Sequence, residues 1–95
     1  MIFLSFELKP SKRVKKELDK LDKALKLRLL DLLIKLKESP VPADEFNVAK
    51  VSGSPNTYRI RIQKIRMVYD VYWKDKRIEI LKIRRRKDRT YKKLH

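Results

Sequence analysis

Ninety-five residues carrying 27 basic and 12 acidic side chains, with a net charge of +15, describe one small and strongly cationic domain. The chain holds no cysteine, one glycine and one histidine, which is its last residue. Those counts exclude disulfides, thiolate metal sites and cysteine nucleophiles, rule out a glycine-rich phosphate loop, and argue against a histidine acid–base pair.

Along the chain, Ile2 to Glu7 is apolar enough for a first strand, ended before Pro10. Pro10 suits the first turn of a helix, where its missing amide proton costs nothing. Val14, Leu18 and Leu21 then recur at helical spacing. A second helix is expected from about Lys23 to Glu38, with Leu25, Leu29, Leu32, Leu33 and Leu36 on one face. Leu27, Leu30 and Ile34 broaden its apolar surface, which predicts packing against the neighbouring helix; a docking face is the second reading. A break near Asp22 separates the two helices, with one long bent helix as the alternative.

Pro40 and Pro42 end the helical region, and Phe46 to Val51 reads as a short strand. The loop at 52–56 holds Gly53, the natural seat for a positive backbone dihedral. Three strands follow at about 57–63, 65–73 and 77–84, joined by Gln63-Lys64 and by Lys74-Asp75-Lys76. The expected fold is α+β in a single domain, residues 1–95. It has an N-terminal strand, a helical hairpin on one sheet face, a four-stranded and mostly antiparallel section, and a short C-terminal helix or tail. Asp31 and Lys35 interrupt the leucine-rich stretch, so no run spans a bilayer, and the start lacks a signal-peptide pattern. A cytoplasmic protein is expected.

The charge is concentrated. Residues 58–95 carry 15 basic and 4 acidic side chains, a field that favours polyphosphate partners, with an acidic protein as a second class of partner. Strand alternation puts Arg59 and Arg61 on one face and Tyr58, Ile60 and Ile62 on the other. After Lys64, Arg66, Val68 and Asp70 alternate with Met67, Tyr69 and Val71. Asp70 is expected as an ion-pair partner of Arg66, Tyr72 as a stacking surface, and Tyr69 and Trp73 as packing. A second basic run, Arg84 to Lys93, encloses Tyr91.

No carboxylate pair has metal-ligand spacing, so neither a metal nor another cofactor is expected. Arginine, lysine and tyrosine can still support cleavage of an RNA phosphodiester by its own 2′-hydroxyl. Fixed guanidiniums orient the phosphate and stabilise its developing charge. A tyrosine can take the 2′-hydroxyl proton only if surrounding cations lower its pKa, and Tyr91 lies between Arg89 and Lys92 in the sequence.

The Tyr58-Arg-Ile-Arg-Ile segment, the Ile65-Arg-Met-Val-Tyr-Asp-Val segment and the Lys82–Tyr91 end together resemble the RelE/ParE superfamily of toxin–antitoxin proteins, archaeal RelE-type mRNA interferases in particular. The resemblance implies a toxin that cuts mRNA in the ribosomal A site and is restrained, in a hetero-oligomer, by a cognate RelB-like antitoxin. It implies no membrane partner. It also implies catalytic roles for Arg66 on the scissile phosphate, for Arg85 on the transition state or leaving group, and for Tyr91 as base or stacking group. Arg84 and Arg86 are register alternatives to Arg85. Arg59, Arg61, Lys64, Arg84, Arg86 and Arg89 are implied RNA contacts. Departures from the family pattern are Gln63-Lys64-Ile65, where Gly-Asp and an aromatic are usual, and arginines at 59 and 61, where some ribonucleases carry lysine. The alternative within the fold is a ParE-like gyrase inhibitor without RNA cleavage, or a basic nucleic-acid-binding module.

Overall fold

Alternation and capping together dictate the layout of the computed structural model, which describes residues 5–85. Two helices, α1 (Lys12–Asp19) and α2 (Lys23–Glu38), follow a first strand, β1 (Glu7–Pro10). Four strands follow the helices: β2 (Asn47–Lys50), β3 (Thr57–Ile62), β4 (Ile65–Tyr72) and β5 (Arg77–Arg85). They form one five-stranded sheet in the order β1-β5-β4-β3-β2. β1 runs parallel to β5, and the other three pairings are antiparallel. The expected order of strands and helices holds over the described residues, with the N-terminal strand joining the four-stranded section as its edge, and the expected short C-terminal helix or tail lies outside them.

The helices start where side chains can satisfy the first orphan amides. Ser11 Oγ accepts from Val14 N at 3.1 Å, and Asp22 Oδ1 accepts from Leu25 N at 2.9 Å. Asp22 therefore divides the helical region into two helices. Pro10 is not in the helix: it is the last residue of β1, opposite Ile80. β1 is an edge strand, where a missing N–H is tolerated, and Ser11 takes the capping role one residue on. Of the expected first strand, Ile2 to Leu4 lie outside the described residues, Ser5 and Phe6 precede β1, and the strand runs on through Pro10 instead of ending before it.

One sheet face is covered by the helices. Val14, Leu25, Leu29, Leu32, Leu33 and Leu36 pack with Ile60, Ile65, Met67, Tyr69, Val71, Ile78, Ile80 and Ile83. Tyr69, fully buried, stacks with Tyr58 at 5.9 Å between centroids and donates its hydroxyl proton to Pro40 O at 2.7 Å. That bond satisfies the one polar atom this ring carries into the core and ties β4 to the segment after α2. Trp73 meets the Phe6 ring edge-on, at 5.7 Å. Leu27, Leu30 and Ile34 are 54%, 40% and 63% exposed, so they do not pack against a neighbouring helix. With two layers, α2 has a single face to bury, and its centre is Leu25, Leu29, Leu32 and Leu36.

Two connections place non-glycine residues in the left-handed region. Gln63, the first residue of the β3–β4 turn, has φ 53°, and Lys76, just before β5, has φ 52°. Gly53 takes φ 83°, as its loop position requires.

Candidate nucleic-acid interface

The sheet face opposite the helices, uncovered among the described residues, follows from the same alternation. Its side chains form transverse rows, because residues paired across antiparallel strands stand about 5 Å apart on the same side. One row reads Arg61 (β3), Arg66 (β4), Arg84 (β5), with Asn47 of β2 beyond Arg61. The next reads Arg59, Val68, Lys82, with Ala49 beyond Arg59. These two rows hold five cations and no carboxylate. Arg59, Arg61, Lys82 and Arg84 are exposed and Arg66 is half-buried between its neighbours. Like charges directly opposite one another cost stability, so this crowding is not what folding alone would select. Beside the row, Arg61, Gln63, Lys64, Ile65 and Arg66 line a shallow hollow at the hairpin turn, and Lys64 is exposed at its rim.

A β-bulge sets which late arginine reaches this face. Val68 pairs with Lys82 but Tyr69 pairs with Ile80, so Leu81 has no partner and the alternation shifts. Ile80 and Ile83, three apart, both enter the core, and Lys82 and Arg84 emerge on the face of Arg66. Arg85 pairs with Ile65, a core-side residue, and does not share the arginine face. The structure thus brings together Arg59, Arg61, Arg66 and Arg84, with Lys64 at the turn, and separates Arg85 from them. Arg86, Arg89 and Tyr91 lie outside the described residues. Simple parity does not single out Lys82; the Ile78, Ile80, Ile83 spacing carries the signal for it.

The other end of the face is differently built. Asp70 lies opposite Thr57 and Glu79, and Lys9 lies opposite Glu79. Thr57 donates its hydroxyl proton to Asp70, and the Tyr72 hydroxyl donates to the other Asp70 oxygen at 3.2 Å. The Arg77 guanidinium lies over the Tyr72 ring at 4.6 Å and pairs with Glu79 at 3.0 Å and Asp75 at 3.5 Å. The neighbouring Asp70 charge pushes the Tyr72 phenol above its ordinary pKa, and burial pushes the Tyr69 phenol higher still. Neither ring is therefore suited to take a proton near neutrality. Tyr72 lies on the arginine face as expected, but its ring is already covered by Arg77.

Chemically, the arginine end can orient and neutralise one or two phosphates and supply charge to a transition state. No group of three or more potential metal ligands occurs among the described residues. No helix among them is long and apolar enough to cross a membrane.

Comparison with known proteins agrees with this architecture. Residues 8–90 match the family model of the ParE toxin of type II toxin–antitoxin systems, parDE. The RelE1 protein of Methanocaldococcus jannaschii, named as a toxin, is 37% identical over 83 residues, spanning 87% of this chain and 92% of that protein. The archaeal RelE–RelB complex from Pyrococcus horikoshii OT3 contains a chain 39% identical, with a TM-score of 0.80 over 86% of this chain and 96% of that one. The isolated E. coli RelE toxin shares the fold at 23% identity, with a TM-score of 0.76 over 95% of each chain. The chain belongs to the RelE/ParE superfamily and is a RelE-like toxin of the type II toxin–antitoxin class.

Proposed function

We propose that this protein is a metal-independent endoribonuclease that cleaves mRNA on the ribosome. The observation that carries the reading is the Arg61–Arg66–Arg84 row, three cations that the register of three adjacent strands sets side by side. In the proposed reaction the 2′-oxygen attacks the adjacent phosphorus and the bond to the 5′-oxygen breaks. The leaving 5′-oxygen takes a proton from water, and a 2′,3′-cyclic phosphate and a 5′-hydroxyl end result. Arg66, central in the row, holds the scissile phosphate, and Arg61 and Arg84 offset the charge that builds on its oxygens. Arg84, by register, takes the part that the family resemblance attaches to Arg85, and Arg86 is the other candidate. Tyr91 is the proposed base for the 2′-hydroxyl proton. Arg59, Lys64, Lys82 and Arg89 contact the flanking strand.

A cognate RelB-like antitoxin is the proposed partner, in a hetero-oligomer that covers the arginine face or displaces the segment bearing Tyr91. Solved relatives of this fold include a RelE–RelB complex and an E. coli RelBE toxin–antitoxin complex. The proposed setting is the cytoplasm, where ribosomes are.

The test is a translation reaction programmed with one defined mRNA, followed by 5′-end mapping. The reading expects new 5′ ends with the wild type and their loss with Arg66→Ala; intact mRNA with the wild type would remove it. The ParE family match favours a second reading, a gyrase inhibitor. That reading expects intact transcripts together with altered DNA supercoiling.

A further inference from the structure

The uncovered face changes character along its strands. In its arginine half the paired strand residues include Arg59, Arg61, Arg66, Lys82 and Arg84, and no carboxylate is among the strand residues of those rows. The remaining half carries Glu7, Asp70 and Glu79 against Lys9 and Arg77. There the cations are already committed. Lys9 Nζ lies 3.9 Å from Glu7, and Arg77 is held by Glu79, by Asp75 and by the Tyr72 ring. Arg59, Arg61, Lys82 and Arg84 make no ion pair among the described residues.

Two residues along a strand advance about 6.7 Å, so Asp70 and Glu79 sit one row from Val68 and Lys82. That separation is shorter than the Debye length of about 8 Å at physiological salt, so a phosphate on the Val68 row still feels both carboxylates. Asp70 is also fixed in place, by Thr57 from β3 and Tyr72 from its own strand. A polyanion lying along the strands would have to cross this acidic end. One lying across the strands meets Arg61, Arg66 and Arg84 on one row and Arg59 and Lys82, on either side of Val68, on the next, and no strand carboxylate.

We infer that single-stranded RNA crosses the sheet transversely, on the Arg61–Arg66–Arg84 and Arg59–Lys82 rows, and that Asp70 and Glu79 form a boundary that sets which phosphate enters the arginine row. The inference rests on the ribonuclease reading above and adds specificity-determining roles for two carboxylates outside the proposed chemistry. Removing them takes away the two carboxylates next to the Val68–Lys82 row and one of the two that pair with Arg77, and so opens a longitudinal path; more phosphates bind and the register of the strand is lost.

The test is fluorescence anisotropy of the full chain with a labelled single-stranded RNA of mixed sequence, about 12 nucleotides long, within the range that small binding modules occupy. Affinity is followed between about 50 and 200 mM salt, where the slope of log affinity against log salt counts phosphates at about 0.7 each for a single strand. Four variants accompany the wild type: Asp70→Asn with Glu79→Gln, Glu79→Gln alone, Arg66→Ala, and Glu17→Gln on α1 as a control for net charge. Glu79→Gln alone leaves the Thr57–Asp70 bond intact, so it separates the effect from any loss of fold. The inference expects steepening by about 0.7 in the single variant and about 1.4 in the double variant, with Glu17→Gln unchanged. If Arg66→Ala flattens the slope but neither carboxylate variant steepens it beyond Glu17→Gln, the boundary is overturned and the ribonuclease reading stands. If Arg66→Ala leaves the slope unchanged, the arginine row holds no phosphate, and both fall together.

Discussion

The two sides of β3, β4 and β5 carry consecutive residues of the same strands, yet they are built to opposite rules. On the helix side, Ile60, Met67 and Ile83 meet in one row of fully or nearly fully buried side chains. On the open side, one residue further along each strand, Arg61, Arg66 and Arg84 meet as like charges. The first row lowers the free energy of folding. The second sets like charges opposite one another, which opposes folding, and leaves Arg61 and Arg84 exposed. A residue's neighbour in the chain is therefore a poor guide to what it does, and its neighbour across the ladder is a good one.

That contrast breaks most visibly at Arg66. Arg66→Ala should lower mRNA cleavage by roughly 10²–10³-fold, the usual cost of removing one preorganised charge donor. For Arg61→Ala, directly opposite Arg66 and exposed, a urea melt should show stability unchanged or raised by about 0.2–1 kcal/mol, because like charges across the ladder are relieved. Ile60→Ala should do the reverse in kind, costing about 2–5 kcal/mol of stability, with cleavage per folded molecule retained. A stable Ile60→Ala, or a destabilised Arg61→Ala, would dissolve the distinction between the faces.

Smaller effects sharpen it. Ser11→Ala and Asp22→Ala each remove a helix cap and should cost about 1 kcal/mol by thermal melt, without changing RNA affinity. Gln63→Gly should stabilise by about 1 kcal/mol, since a left-handed conformation costs a side-chain-bearing residue about that much. Tyr69 gives the core a pH dependence. Burial raises its folded pKa above the ordinary value of 10.0, so its contribution is full below pH 10 and is lost as pH rises above it. The part of the denaturation midpoint that depends on Tyr69 should hold up to about pH 10 and fall above it, and Tyr69→Phe should flatten that fall.

Much of this was legible in the sequence because it rests on period alone. Arg59 and Arg61 against Ile60 is a two-residue alternation, and α2 from Lys23 to Glu38 is a helical one. What period cannot carry is a change of register. The bulge at Leu81 shifts β5 by one residue, so counting parity from Ile78 misplaces Lys82, Arg84 and Arg85. Pro10 misled for a related reason: its missing amide suits an edge strand as well as a first helical turn, and only the pairing with Ile80 decides. The exposure of Leu27, Leu30 and Ile34 was equally hidden, because an apolar stripe does not reveal how many layers the fold has. The boundary at Asp70 and Glu79 depends on which cations are already paired, and that is a property of three-dimensional neighbours.

The central claim is that cations on the uncovered face, and not merely basic residues in the late segment, act on RNA. Arg84 and Arg85 test it most directly, being adjacent in sequence, equally charged, and on opposite faces. In a translation reaction with one defined mRNA, the account predicts that Arg84→Ala diminishes the new 5′ ends and Arg85→Ala leaves them at wild-type abundance. Loss of the ends with Arg85→Ala, and their persistence with Arg84→Ala, would contradict it.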